Sequence, residues 1–296
     1  MRSVSLRGIS GVFGQPSTAA RRWMSFARRD PQMVIALAVI CAWIVAVVGA
    51  GLLTPGSPVA ENVDIRLQPP SFAHPFGTDE LGRDVLRRVF YGGRTSLPAA
   101  LVVVSVGLGV GTSLGAVAGY VGGVVDEVVM RVTDMVLAFP VLVLAMAVAA
   151  ALGASLSHGV VALAAVWWPQ YVRVCRGLVM DLREKDYVVA SRAAGRLPLH
   201  TLAFVVMPNV LPSLLVMAAI DIGRAILNFA TLSFLGLGAK PPQPEWGSMV
   251  SDGVDVMDQW WVATFPGLAI LSLVFAFNLL GDSVRDALDP WIGGRR

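Results

Sequence analysis

Apolar residues run along this chain in long blocks, not in the short alternations of a soluble fold. Met33 to Leu53 is free of charged residues, and at about 1.5 Å per residue such a helix crosses a hydrocarbon layer of roughly 30 Å. Five further blocks, near Ser96–Tyr120, Asp134–Leu152, Gly159–Met180, Val210–Gly236 and Val262–Leu280, predict further spans. The pattern predicts an all-α, polytopic membrane protein with about six transmembrane helices. An even number of spans places both termini on one side. A secretory signal has a shorter apolar core, about 7–15 residues, so residues 33–53 are read as a retained first span.

The polar stretches divide the rest. Residues 1–32 carry Arg2, Arg7, Arg21, Arg22, Arg28 and Arg29 against one acid, Asp30, and are expected to form a cytoplasmic tail. Residues 54–95 form an expected extracytoplasmic loop, Pro-rich at first and then GTDELGRDVLRRVFYGGRTS, whose alternating acids and arginines predict a solvated amphipathic helix. Residues 96–282 make the expected core domain, interrupted by a polar loop at 181–209, and residues 283–296 a second cytoplasmic tail. Basic residues are retained on the cytoplasmic side of short connections. Arg173, Arg176, Arg183, Lys185, Arg192 and Arg196 mark the connection around 173–196 as cytoplasmic, and Arg285, Arg295 and Arg296 do the same for the carboxyl end. The loop after the third span has no basic residue and that after the fifth has only Lys240.

The stretch ASRAAGRLPLHTLAFVVMPN, residues 190–209, interrupts the apolar pattern. Asp186 is expected to cap a short helix from Tyr187 to Ala194, with Ala190, Ser191, Ala193 and Ala194 as a low-relief face. Gly195 suits the left-handed position that ends a helix, and Pro198 suits the first turn of the next. Pro208 and Pro212 each remove a backbone donor at the start of the fifth span. The stretch reads equally as a plain connector or as a surface on which a partner docks.

Composition narrows the chemistry. The chain is 55% hydrophobic with mean hydropathy +0.68 and only 15% charged residues, against about 25% in soluble domains. A net charge of +3 gives no reason to expect nucleic acid, and lipid is the expected surrounding. Lys185 and Lys240 are the only lysines, and neither sits in the Gly-Lys-Ser/Thr context of a phosphate-binding loop. Any ATP and Mg must be bound by partner subunits, and this chain is expected to hold no cofactor. Cys41 and Cys175 suggest no disulfide framework, and His74, His158 and His200 have no metal-ligand spacing. No catalytic set is evident, so a non-catalytic subunit is expected.

Asp221 and Arg224 lie mid-span at i, i+3, where an unpaired charge costs about 2.5–3.5 kcal/mol on insertion scales. They are expected to face each other or a wet interior, either as a local ion pair or as part of a translocation path, with Asn228 one turn further on. Asp126, Arg131 and Asp134 are expected to pair among themselves at the cytoplasmic boundary. Trp167, Trp168, Trp246, Trp260 and Trp261 fall near segment ends and suggest interfacial anchors.

Gly195, nine intervening residues and Val205-x-Met207-Pro208 resemble the EAA loop of ABC importer permeases, with Val189 where that family usually has Glu. FGTDELGRD, GYVGGVVDEVVMRVTDMVLAFP, LSFLGLGAKPPQPEWG and GDSVRDALDP resemble the second permease subunit of the dipeptide/oligopeptide/nickel branch. The resemblance implies a type I importer transmembrane domain in the cytoplasmic (inner) membrane. It also implies a homologous permease partner in a heterodimer, one or two ABC ATPase subunits and an extracytoplasmic substrate-binding protein. It implies that Ala190, Ser191, Ala193, Ala194, Gly195 and Pro208 belong to a helix coupled to the ATPase. Short peptides are the implied substrate, with nickel complexes, haem or another small solute as alternatives. An ion-coupled secondary transporter is a less favoured reading, because no internal repeat is evident and Asp221/Arg224 is the only midplane charge pair.

Overall fold

The computed structural model describes residues 31–288. The amino-terminal arginine cluster and the tail beyond Leu288 lie outside the described residues. Helix α1 (Pro31–Val48) continues after a break into the single turn α2 (Ala50–Leu53), and a long loop then leads to α3 (Val85–Val121). Helices α4 (Gly123–Leu137), α5 (Val141–Leu152) and α6 (Leu156–Arg183) follow. Two short helices, α7 (Asp186–Ala193) and α8 (Pro198–Thr201), lead through a wide turn at Leu202–Val206 into α9 (Met207–Phe234). Helices α10 (Trp246–Val254) and α11 (Trp261–Leu288) complete the described chain. No strand occurs among the described residues.

Four of these segments are long and apolar enough to cross a membrane: α1, α3, the continuous Pro198–Phe234 segment and α11. The third expected span, Asp134–Leu152, is not one straight helix. Helices α4 and α5 meet at 85° and reach the length and composition of a span only as a bent pair, the form of a broken span or of a re-entrant loop. Pro140 accounts for the break, since it lacks an amide hydrogen and disfavours helical geometry at the residue before it. The fourth expected span lies within α6, whose 28 residues have the length to cross but which is not among the segments apolar enough to qualify by composition.

The most extensive helix packing among the described residues lies between α3 and α6. Gly107, Gly111, Gly115 and Gly119 repeat every fourth residue and are all buried, so they form one stripe along α3. A β-carbon at Gly111 would fall 2.5 Å from the Trp168 carbonyl oxygen, at Gly115 2.6 Å from that of Val172, and at Gly119 2.8 Å from that of Arg176. Small residues of this kind let two backbones touch where lipid supplies no hydrophobic drive between helices. Tyr171, Cys175 and Val179 of α6 are fully buried along the same contact.

Polar sequence at the far end of α3 does not form the solvated amphipathic helix expected of it. Asp84 caps α3 by accepting a hydrogen bond from the Arg87 amide at 2.8 Å, and residues 85–95 are the first turns of the long helix. Upstream, Asp79 Oδ2 pairs with Arg83 Nε at 2.6 Å and with Arg88 Nε at 3.4 Å, and all three residues are buried. Their partners lie within the segment and under the 241–254 stretch, where Arg88 donates to the Pro242 carbonyl. The charges are consumed internally, which the local pattern does not disclose.

Three of the five tryptophans expected at the interface are instead core residues. Trp246 is completely buried, donates to the Val89 carbonyl at 2.8 Å and meets the Trp43 ring edge-on at 5.3 Å. Trp261 donates to the Thr78 carbonyl, and Trp167 is buried against Gly107. Trp168 turns its indole onto the Ala165 carbonyl, and Trp260 alone is largely exposed. Beside Trp246, Glu245 caps α10 through the Gly247 and Ser248 amides, both at 2.9 Å, and accepts from Ser96 at 3.0 Å. Burial pushes the Glu245 carboxyl above its ordinary range, against the pull of those amides.

The glycine stripe generates a test with an internal control. Gly111→Leu would drive a side chain into the α6 backbone, and overpacking of this kind costs about 1–3 kcal/mol or more. A β-carbon at Gly109 would meet nothing within 4 Å, so Gly109→Leu is expected to be tolerated. Thermal unfolding of the purified variants in detergent should show a clear drop for the first and little or none for the second.

Candidate functional site

Residues 181–209 form a helix, a sharp turn and a second helix, the last of which opens the membrane-length segment Pro198–Phe234. Helix α7 begins at Asp186, with Lys185 at the cap position and no side-chain capping bond; the Asp186 cap expected from the sequence is not formed. Ala194 ends α7, and Gly195 takes φ +79°, the left-handed conformation that glycine adopts without steric cost. Pro198 occupies the first turn of α8. Residues 202–206 are wound as one wide π turn, directly before Pro208. A wider turn moves the preceding carbonyls away from a proline ring that would otherwise collide with them.

One side of this segment is fixed to the helices. Val188, Thr201 and Val206 are fully buried and Leu202 nearly so. Arg183 donates to the Gly119 carbonyl at 3.0 Å, and Arg192 places its guanidinium 5.6 Å from the centre of the Tyr120 ring while donating to the Arg183 carbonyl. The loop is thereby tied to the end of the glycine-lined α3–α6 pair. Its other side is bare: Ala190, Ala193, Ala194 and Gly195 are exposed, with Ser191 half-buried. Exposed apolar side chains surround them, with Leu197 at 74%, Leu199 at 75% and Phe204 at 70%. Val189, at the position where the importer loop usually has Glu, is 51% exposed. Pro208 is exposed at the start of α9, apart from the small-residue face.

A second polar site lies inside the bundle. Asp221 occupies the middle of α9, its carboxylate 1% exposed, and its Oδ1 lies 3.1 Å from Arg224 Nη1. Gln170 of α6 donates from Nε2 to Oδ2 at 3.1 Å. Tyr171 and Trp167, also of α6, bear electrostatically on the same carboxylate. Arg224 is 57% exposed. Asn228 is turned away from the pair and donates to the Arg224 carbonyl at 2.8 Å. Phe229 is buried in the core. A cavity of about 580 Å³ opens beside the pair, with Arg285 of α11 also on its wall. Sequence reasoning missed Gln170, Tyr171 and Trp167; the polar Pro169-Gln170-Tyr171 step inside an apolar block was the available signal.

The acids of α4 find partners across the bundle, not among themselves. Asp126 takes a two-pronged contact from Arg176, including Nη2 to Oδ2 at 2.6 Å, and Asp134 pairs with Arg173 at 2.8 Å. Only Arg131 has a local partner, Glu127, at 3.9 Å. Arg173 and Arg176 therefore belong to the body of α6 and are neutralised there. Cys41 is exposed on α1 and Cys175 is buried in α6. Among the described residues no His, Cys, Asp and Glu come together as a metal site.

Membrane-length helices around a polar interior seam define a multi-pass helical membrane protein. Residues 111–294 match the family described as the binding-protein-dependent transport system inner membrane component, and the chain belongs to that family. It is 44% identical over 275 residues to the probable D,D-dipeptide transport system permease protein of Escherichia coli K12, covering 93% of this chain and 92% of the relative. It is 44% identical over 282 residues to the dipeptide transport system permease protein of the same organism, covering 93% and 94%. The di/tripeptide transport system permease protein of Pseudomonas aeruginosa is 41% identical over 286 residues, with 93% of each covered. Among solved structures, an inward-facing form of the MetNI methionine ABC transporter superposes with a TM-score of 0.57 at 19% identity, covering 68% of this chain and 96% of that one. That likeness concerns the fold, an ABC transporter transmembrane domain.

The unequal exposure of Asp221 and Arg224 sets the expected outcome of mutating each. Arg224→Gln leaves a buried carboxylate without its counter-ion and is expected to reduce assembly strongly, since breaking a buried pair costs about 3–5 kcal/mol. Asp221→Asn removes the buried charge while leaving an exposed guanidinium, and is expected to be milder. Exchanging the two residues buries the arginine and is not expected to restore stability. Yield and thermal unfolding of the three variants in detergent would check the order.

Proposed function

We propose that this chain is a transmembrane permease subunit of an ATP-driven importer that carries short peptides across the cytoplasmic membrane. It pairs with a homologous permease subunit, receives substrate from an extracytoplasmic binding protein, and takes its energy from one or two separate ATPase subunits that bind ATP and Mg. The identity to peptide permeases across 93% of the chain supports the peptide substrate. The observation that carries the mechanism is the anchored segment 186–204, with one side built into the bundle and the other exposing Leu197, Leu199 and Phe204.

Leu197, Leu199 and Phe204 form an exposed apolar patch on the connection between α6 and α9, and such patches mark interaction sites. In this reading Ala190, Ser191, Ala193 and Ala194 are small so that a partner can sit close, and Gly195 sets the angle between α7 and α8. A push on α7 reaches α3 through Arg183 and Arg192, and reaches α9 through the turn at 202–206. Pro208 and the wide turn before it localise bending at the base of α9. The loop lies in the cytoplasm in this arrangement, with both termini on the same side.

Three experiments test the reading. Gly195→Asp and Ala194→Trp alter no membrane-length helix, so both variants are expected to insert and pair with the sister subunit. They should lose the ATPase on pull-down, or retain it with uptake at least tenfold below wild type in vesicles supplied with internal ATP. Full ATPase binding together with full uptake would reduce the loop to a connector. In a background lacking Cys41 and Cys175, cysteines at Ser155 and Gln243 should react with an impermeant reagent from outside, and one at Ser191 should not. Uptake that needs internal ATP and survives collapse of the ion gradient separates this mechanism from secondary transport.

A further inference from the structure

Buried polar groups in a folded interior are almost always matched with partners, yet several unmatched atoms gather where α6 meets α9. Asp221 Oδ1 faces Arg224 but receives no aligned hydrogen bond, and Tyr171 Oη and Trp167 Nε1 beside it have no hydrogen-bond partner. The cluster borders a cavity of about 580 Å³, within the usual range for small-molecule sites of about 300–1,000 Å³. Its charged wall residues are Asp221, Arg224 and Arg285, and its remaining wall is mainly apolar, with Val174, Val216 and Met217. Arg224 stands mid-helix and 57% exposed. A guanidinium turned to hydrocarbon there is costly, so this side of α9 faces a wet path or a protein partner.

We propose that Asp221 accepts the α-ammonium group of a short peptide in transit, while Arg224 and Arg285 take its carboxylate. The inference rests on the reading of the chain as a peptide-importer subunit and adds the group on which the permease itself holds its cargo. Charge matching is the physical reason. The empty site carries its own ion pair, and a zwitterionic peptide brings one charge of each sign. Exchanging partners, ammonium to Asp221 and carboxylate to the arginines, gives each end of the peptide an opposite charge in a medium where desolvation is expensive. The side chains of residues three apart on a helix are close neighbours, and an extended dipeptide spans only about 7 Å, so both termini of a short peptide stay within reach of the charged wall. Gln170 keeps Oδ2 occupied and orients the carboxylate. Oδ1, which has no aligned hydrogen bond, is left for the incoming group. A peptide with a blocked amino terminus has no ammonium to offer Asp221, which then stays with Arg224 and leaves the carboxylate to Arg285 alone.

The test uses the intact transporter in lipid nanodiscs without its binding protein, so that any selectivity belongs to the membrane subunits. Radiolabelled Ala-Ala is expected to bind, and N-acetyl-Ala-Ala to bind at least tenfold more weakly. Asp221→Asn should weaken Ala-Ala at least tenfold and should not weaken the acetylated peptide, since it frees Arg224 for the carboxylate. Absence of Ala-Ala binding, equal binding of the two peptides, or wild-type affinity in Asp221→Asn would each overturn the proposal. If the variant fails to assemble, comparison of the two peptides on the wild-type complex decides alone. Uptake of Ala-Ala by the same complex with its binding protein in proteoliposomes separates the two levels. Uptake without amine-dependent binding removes this subsite only, whereas absence of uptake removes the peptide reading beneath it.

Discussion

Backbone contact between α3 and α6 is the constraint on which the other features depend. Gly111, Gly115 and Gly119 place α3 directly on the carbonyls of Trp168, Val172 and Arg176. Two helices this close move as one body, because neither can slide without a clash. The pair fixes Gln170 and Tyr171 opposite α9, and so sets the surroundings of Asp221. It also brings Gly119 and Tyr120 to the point where Arg183 and Arg192 fasten the loop. The interior polar site and the exposed loop are thus mounted on the same support.

Charge is distributed in a way that follows from this support. Helix α6 carries arginines that a lipid-facing helix would not tolerate, and α4 supplies acids for two of them: Asp134 for Arg173 and Asp126 for Arg176. The 85° break at Pro140 lets α4 present this acidic side to α6 while α5 stays apolar. Asp221 and Arg224 differ from those pairs, since one partner is buried and the other is exposed within the same helix. The first two pairs neutralise charge in place. The third leaves a charge at the boundary of a cavity.

Features set by neighbouring residues were legible in the sequence, and features set by distant ones were not. The turn at Gly195, the start of α8 at Pro198 and the i, i+3 pair at Asp221 and Arg224 all depend on local geometry, and the sequence suffices for them. Asp126 and Arg176 are separated by 50 positions, and Trp246 reaches Val89 across 157. Position near a segment end suggested interfacial tryptophans, whereas long-range packing made Trp246 and Trp261 core residues. The charged run at 77–88 read as solvated because its acids and arginines alternate, yet Asp79, Arg83 and Arg88 satisfy one another under a loop that is distant in sequence. Gln170 escaped notice because a single amide in an apolar helix has meaning only once its partner is placed.

Rigidity on one side and compliance on the other make the loop suited to transmitting force. Helix α7 is held to the stiff α3–α6 pair through Val188, Arg183 and Arg192, so displacement there moves both helices together. The route to α9 passes instead through a π-wound turn and Pro208, where hydrogen bonding is irregular and bending is easier. A partner rocking α7 and α8 would therefore translate one half of the bundle and tilt the other. The contact between those halves lies where Gln170 of α6 reaches Asp221 of α9. In the importer reading proposed above, relative motion there would change how far Asp221 is enclosed, and so would link the exposed loop to the interior charge through helices already in contact.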